Sequence, residues 1–111
     1  MKILHLSLTK LPFDVMEIGE KRHEFRKPTD WIKTRLFDKK GNKRDYDAIK
    51  FTNGYGKDKP YFIIEFWGFA EINEPFSQHY SNGLKVDIEK GDFMIYLGKI
   101  LERGNLKTAT A

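Results

Sequence analysis

Pro60-Tyr61-Phe62-Ile63-Ile64-Glu65-Phe66-Trp67-Gly68-Phe69-Ala70-Glu71-Ile72 decides the fold, because it is the longest β-rich run in the chain. Aromatic and β-branched side chains suit a pleated, half-buried surface, and Gly68 inside the run marks a bulge or sharp bend. A strand of this length belongs at the centre of a sheet. Trp67 lies in its most apolar part and is expected in the core.

Working outward, Phe93 to Leu101 reads as the last strand, after a turn at Glu89-Lys90-Gly91-Asp92. Leu84 to Ile88 reads as a short strand, and Pro75 to Asn82 as a helical turn closed by Gly83. On the N-terminal side, Tyr46 to Thr52 buries Ile49 and Phe51 and ends in the turn Asn53-Gly54-Tyr55-Gly56. Lys2 to Leu8 alternates, with Leu4, Leu6 and Leu8 on one face and Ile3, His5 and Ser7 on the other, where His5 reads as a polar residue on the solvated or cleft side. From Pro12 the spacing becomes helical: Leu11, Val15 and Ile18 form one stripe, and Gly19 suits the left-handed residue after the last turn. A second short helix carries Trp31, Ile32 and Leu36, with Thr29 or Asp30 as its cap. Strands broken by few, short helices describe an α+β domain built on a mixed sheet or small closed barrel. A doubly wound parallel sheet needs more helix than this to cover both faces. The expected core includes Leu4, Leu6, Ile49, Phe51, Ile64, Phe66, Ile95 and Leu97.

The chain's 111 residues fit one domain over 1–111, and 40% hydrophobic with 14% aromatic residues are enough for one core. Within it, 38–45 reads as a flexible basic loop and 105–111 as a frayed tail. There is no cysteine, which removes disulfides, thiol nucleophiles and thiolate metal sites and fits a cytoplasmic setting. No apolar run approaches the ~20 residues of a membrane span, and the N-terminus lacks the pattern of a secretory signal. His5, His23 and His79 show no paired spacing, so neither a metal site nor a cofactor is expected.

Charge is divided along the chain. Residues 20–59 hold 13 Lys/Arg against 7 Asp/Glu, a net of +6, and residues 60–98 hold 2 against 6, a net of −4. A concentrated basic segment is the footprint of phosphate-bearing partners, although a solvated lysine-rich loop carries the same composition. The turn Asn53 to Lys57 is not a P-loop, since Asp58 stands where Ser/Thr is required. It reads either as a plain glycine turn or as a mount for Tyr55 as a stacking platform, with Lys57 near for a phosphate.

Gly19-Glu20-Lys21-Arg22-His23-Glu24-Phe25-Arg26 is denser in charge than a half-apolar strand usually is. Two readings stand side by side: an edge strand protected by its charges, or one wall of a polar cleft. Strict alternation places Lys21 opposite Glu24 and Arg26, so the cleft requires a bend just after Gly19.

The pattern Gly19-x-Lys21-x-x-Glu24-x-Arg26, after a strand and a short helix, is similar to the signature of the ASCH domain, a branch of the PUA-like superfamily. Ile3 to Leu8, Asp47-x-Ile49-x-Phe51 with Asn53-Gly54-Tyr55-Gly56, and Tyr96-Leu97-Gly98-Lys99-Ile100 extend the resemblance over nearly the whole chain. It implies a PUA-like small mixed β-barrel with short flanking helices, a cleft beside Lys21, and RNA or modified nucleosides as ligands. Some small bacterial members of that family resemble amidohydrolases acting on N4-acylated cytidine, and others have been regarded as ribonucleases. In the amidohydrolase branch a Thr follows the motif Lys by three positions. Here that position is Glu24, so a Thr-hydroxyl mechanism does not carry over, and the branch's second acidic residue has no aligned position.

Three functions follow as expectations. The first is a binding module for RNA or a nucleotide, with Lys21, Arg26 and Lys57 on phosphate and Trp31 or Tyr55 on a base. The second is a hydrolase in which Lys21, its proton affinity lowered by burial and by Arg22 or Arg26, is base or nucleophile, while Glu24 moves protons or orients water. The third is a non-enzymatic regulator that binds protein through the acidic half.

Overall fold

Alternation along the chain produces nine elements in the computed structural model, which describes residues 1–105: β1 (Ile3–Leu8), α1 (Lys10–Glu17), β2 (His23–Arg26), α2 (Asp30–Leu36), β3 (Ala48–Asn53), β4 (Tyr61–Glu71), β5 (Phe76–His79), β6 (Lys85–Ile88) and β7 (Phe93–Gly104). Five strands form one sheet in the order β1-β3-β4-β7-β2, with β1 parallel to β3 and the other pairs antiparallel. The long central strand is therefore β4, as its sequence demands. Register shifts against β7 between Ile63 and Phe69 include Gly68 at φ +95°, a left-handed conformation that glycine adopts without strain. These irregularities bend the sheet into a half-barrel.

The concave face holds the core. All eight residues expected there are buried, joined by Phe13 and Met16 from α1 and Ile32 and Leu36 from α2. The Phe13 and Phe51 rings meet Phe62 at 5.0 and 5.5 Å between centroids. Thr29 caps α2, its hydroxyl accepting from the Ile32 N–H at 3.2 Å.

Four expectations change. Trp67 is 67% exposed, because β4 points Phe62, Ile64 and Phe66 inward and the period of two sends Trp67 outward. α1 starts at Lys10 and buries Phe13, Val15 and Met16, leaving Leu11 and Ile18 exposed. The charged strand begins at His23 rather than Lys21. Residues 75–82 are not helical: Phe76–His79 pairs antiparallel with Lys85–Ile88 as a separate hairpin, tied by Ser77 Oγ to Asp87 at 2.6 Å. The basic loop is closed by a Phe37–Lys43 bridge, by Asp38 accepting from the Lys40 and Asn42 N–H groups, and by Lys43 Nζ donating to the Phe69 carbonyl at 2.8 Å. Of the expected tail, 106–111 lies outside the described residues. Among the described residues no helix is long and apolar enough to cross a membrane.

Candidate functional site

The half-barrel leaves a seam between its two end strands, β1 and β2. Arg26 spans it, donating from Nη2 to the Ser7 carbonyl at 2.8 Å. The candidate site is built around this gap.

The chain reaches it by a turn that the sequence encodes. Gly19 follows α1 at φ +85°, and the N–H groups of Glu20 and Lys21 both donate to the Val15 carbonyl at 3.0 Å. This wrap folds Lys21 inward before the strand begins, which is the bend after Gly19 that a cleft requires. Lys21 is 2% exposed and Glu24 4%. Lys21 Nζ donates to the His23 carbonyl and to Glu24 Oε1, the latter at 3.2 Å. Oε1 also accepts from the Phe25 N–H at 3.1 Å, and Oε2 accepts from Arg26 Nε at 2.9 Å. A carboxylate thus sits between two cations, one on each oxygen, and the group carries one net positive charge.

Burial depresses the Lys21 pKa below its ordinary value; the Glu24 carboxylate opposes that fall by charge and hydrogen bond, and Arg26 adds to it. His23 is lowered by burial first and by Lys21 second. Buried ion pairs are weak contributors to stability compared with apolar packing of the same volume, and a perturbed buried group beside a cleft is a candidate site.

Above the triad opens a cleft of about 440 Å³, lined by Ser7, Thr9, Lys21, Glu24, Arg26 and Trp31 among others. The β5–β6 hairpin supplies another wall through Leu84 and Val86. Its connecting turn docks by the Ser81 N–H donating to Glu20 at 2.7 Å and Asn82 Nδ2 donating to the Leu11 carbonyl at 3.0 Å, and Phe76 packs edge-on to Phe25. Tyr80, from the same turn, donates its phenol hydrogen to Gln78 Oε1 at 2.7 Å, and its pKa is raised by burial first and by the charges of Glu20 and Glu24 second. Beside the first cavity lies a second, of about 420 Å³, lined by His5, Ser7, Arg26, Trp31 and Tyr55.

The structure therefore brings Lys21, Glu24, Arg26 and Trp31 to one cavity and Tyr55 to its neighbour. Lys57 borders neither. Trp31 is 49% exposed, with the Arg35 guanidinium 4.7 Å over its ring, and Tyr55 is 86% exposed. Arg22 donates to the Gly19 carbonyl and lines another cavity, of about 600 Å³, with Trp67, Lys99 and Arg103; Lys21 borders this cavity as well as the cleft, whereas Glu24 and Arg26 do not. Arg22 does not join the triad. Leu84 and Val86, the hairpin's contribution to the cleft, are not legible as site residues in the sequence. No local pattern marks them, since they arrive by tertiary docking. Among the described residues no cluster of three or more His, Asp or Glu side chains could hold a metal ion. No protein-family model, curated protein or solved structure matches the chain.

Proposed function

We propose that the seam between β1 and β2 binds single-stranded RNA or a nucleotide, as an ASCH-type domain on a PUA-like barrel. The observation that carries this reading is the buried Lys21–Glu24–Arg26 group beneath an open cleft flanked by the exposed indole of Trp31. Fixed cations attract phosphate, and an exposed aromatic face offers stacking to any base. Lys27, the other cation in the cleft lining, is held by Asp92 at 2.7 Å, so the triad supplies the free positive charge. The curled five-stranded sheet with short helices supports the barrel part of the reading.

Fluorescence anisotropy with labelled single-stranded RNA at low and at moderate salt tests it. Binding that weakens steeply with salt and is lost in the Lys21→Ala/Arg26→Ala double variant is the expected result. Equal affinity for wild type and double variant removes the seam from the account.

A second reading, hydrolysis, rests on one feature, the lowered proton affinity of buried Lys21 beside a carboxylate. In that role Lys21 accepts a proton or attacks, and Glu24 passes the proton onward. Glu24 opposes the fall in proton affinity by charge and hydrogen bond, so a substrate that displaced its carboxylate would lower that affinity further. Turnover of N4-acetylcytidine or short RNA by wild type and not by Lys21→Ala would establish this reading. No turnover of either class leaves binding alone.

A further inference from the structure

We propose that the seam is a two-chambered site for a dinucleotide or longer single strand, with one nucleotide above Lys21–Glu24, the next base in the chamber of Trp31 and Tyr55, and the linking phosphodiester on Arg26. This inference rests on the nucleotide-binding reading above and names its substrate class.

Three observations support it. First, the two cavities share Ser7, Arg26 and Trp31, so they form one groove with Arg26 at the junction. At about 440 and 420 Å³ each falls in the size range of small-ligand sites, and one nucleotide would leave the other chamber empty.

Second, the charge at the junction matches a diester. Lys21, Glu24 and Arg26 together carry one net positive charge, which balances the single charge of a phosphodiester; a terminal phosphate would bring nearly two, close to the Glu24 carboxylate. Arg26 spends Nε and Nη2 on Glu24 and Ser7, leaving Nη1 without a hydrogen bond among the described residues. That amino group is available to a phosphate oxygen.

Third, the outer chamber has a built-in reading edge. The carbonyls of Lys2 and Leu8 face β3, accepting from the Asp47 and Gly54 N–H groups, so even-numbered residues of β1 pair inward. By the period of two, Ile3, His5 and Ser7 turn their N–H and C=O groups to the strand's unpaired side, as the Arg26–Ser7 bond confirms for Ser7. His5 and Ser7 line the chamber that Trp31 and Tyr55 flank. A planar base there stacks on an aromatic ring while its edge meets backbone donors and acceptors, as an added strand would.

Isothermal titration at low salt with CpC, ApA, CMP and AMP tests the proposal. The expected result is that the dinucleoside monophosphates bind about tenfold tighter than the mononucleotides, despite their lower charge, and that Tyr55→Ala collapses this ratio. Mononucleotides binding as tightly as the dinucleotides, or a ratio that persists in Tyr55→Ala, overturns the two-chambered site and leaves nucleotide binding standing. Failure of all four probes and of longer single strands to bind overturns both.

Discussion

Glu24→Gln removes one charge from the floor of the seam and keeps the shape of the side chain. In the wild type its two oxygens hold Lys21 at 3.2 Å and Arg26 at 2.9 Å. Arg26 is partly exposed and can recruit water after the change, whereas Lys21 is almost wholly buried and cannot. Removing one partner of such a pair typically costs about 3–5 kcal/mol, a large share of the roughly 5–15 kcal/mol that stabilises a domain. The chain has one escape, which is to fold with Lys21 neutral. Discharging a lysine of ordinary pKa 10.5 costs about 1.4 kcal/mol per pH unit below that value. The penalty for the uncompensated ammonium is thus capped at about 4.8 kcal/mol at pH 7 and about 1.4 kcal/mol at pH 9.5.

The sign follows from linkage. Burial already holds Lys21 below 10.5, so between its depressed value and 10.5 the folded chain binds fewer protons than the unfolded one, and stability rises with pH. The substitution removes the carboxylate that opposes this depression, so the rise starts at lower pH in the variant. Its deficit against wild type must shrink from pH 7 to pH 9.5. Urea denaturation at both pH values, with matched m-values, measures it. A deficit below about 1 kcal/mol at pH 7, or one of equal size at both pH values, would show that Lys21 does not depend on Glu24 for its charge.

Further outcomes are expected elsewhere in the fold. A Cβ at Gly98 would lie 2.6 Å from atoms of Glu65 and Trp67, so Gly98→Ala should cost about 1–2 kcal/mol; a double-mutant cycle should show part of that cost gone in a Trp67→Ala background, with the Glu65 contact keeping the rest. Thr29→Ala should lose about 1 kcal/mol in thermal or urea unfolding and weaken RNA binding as well, because the cap fixes the first turn of α2, where Trp31 sits. Phe62→Ala should cost about 3–5 kcal/mol in the same assay, since that ring is fully buried against Phe13 and Phe51.

The sheet was legible where one face alone is apolar. β1 and β3 bury the apolar positions that their sequences mark, and the eight core residues read from alternation are buried, whereas Trp67 is not. At Trp67 apolar neighbours favour burial, but its position, odd where the inward Phe62, Ile64 and Phe66 are even, turns it outward, and the pleat decides. β5 had no such pattern, because Phe76-Ser77-Gln78-His79 holds one large apolar residue and is ordered by β6 and by Phe25. At the site, the residue types Lys21, Glu24 and Arg26 were legible but their meeting was not. Alternation set Lys21 across the strand from Glu24, and only the left-handed turn at Gly19, which starts the strand at His23, puts them side by side. Tyr55 reaches the groove while Lys57, two residues on, does not; nothing local distinguishes them.

Amide chemical-shift mapping of isotope-labelled protein titrated with a short single-stranded RNA locates the binding surface residue by residue. If the seam binds RNA, the largest shifts fall at Ser7, Glu24, Arg26 and Trp31, with the Trp31 indole N–H moving and that of Trp67 still. Shifts concentrated on Trp67, Arg22 and Lys99 around the other cavity, or no shifts at saturating RNA in low salt, would contradict binding at the seam.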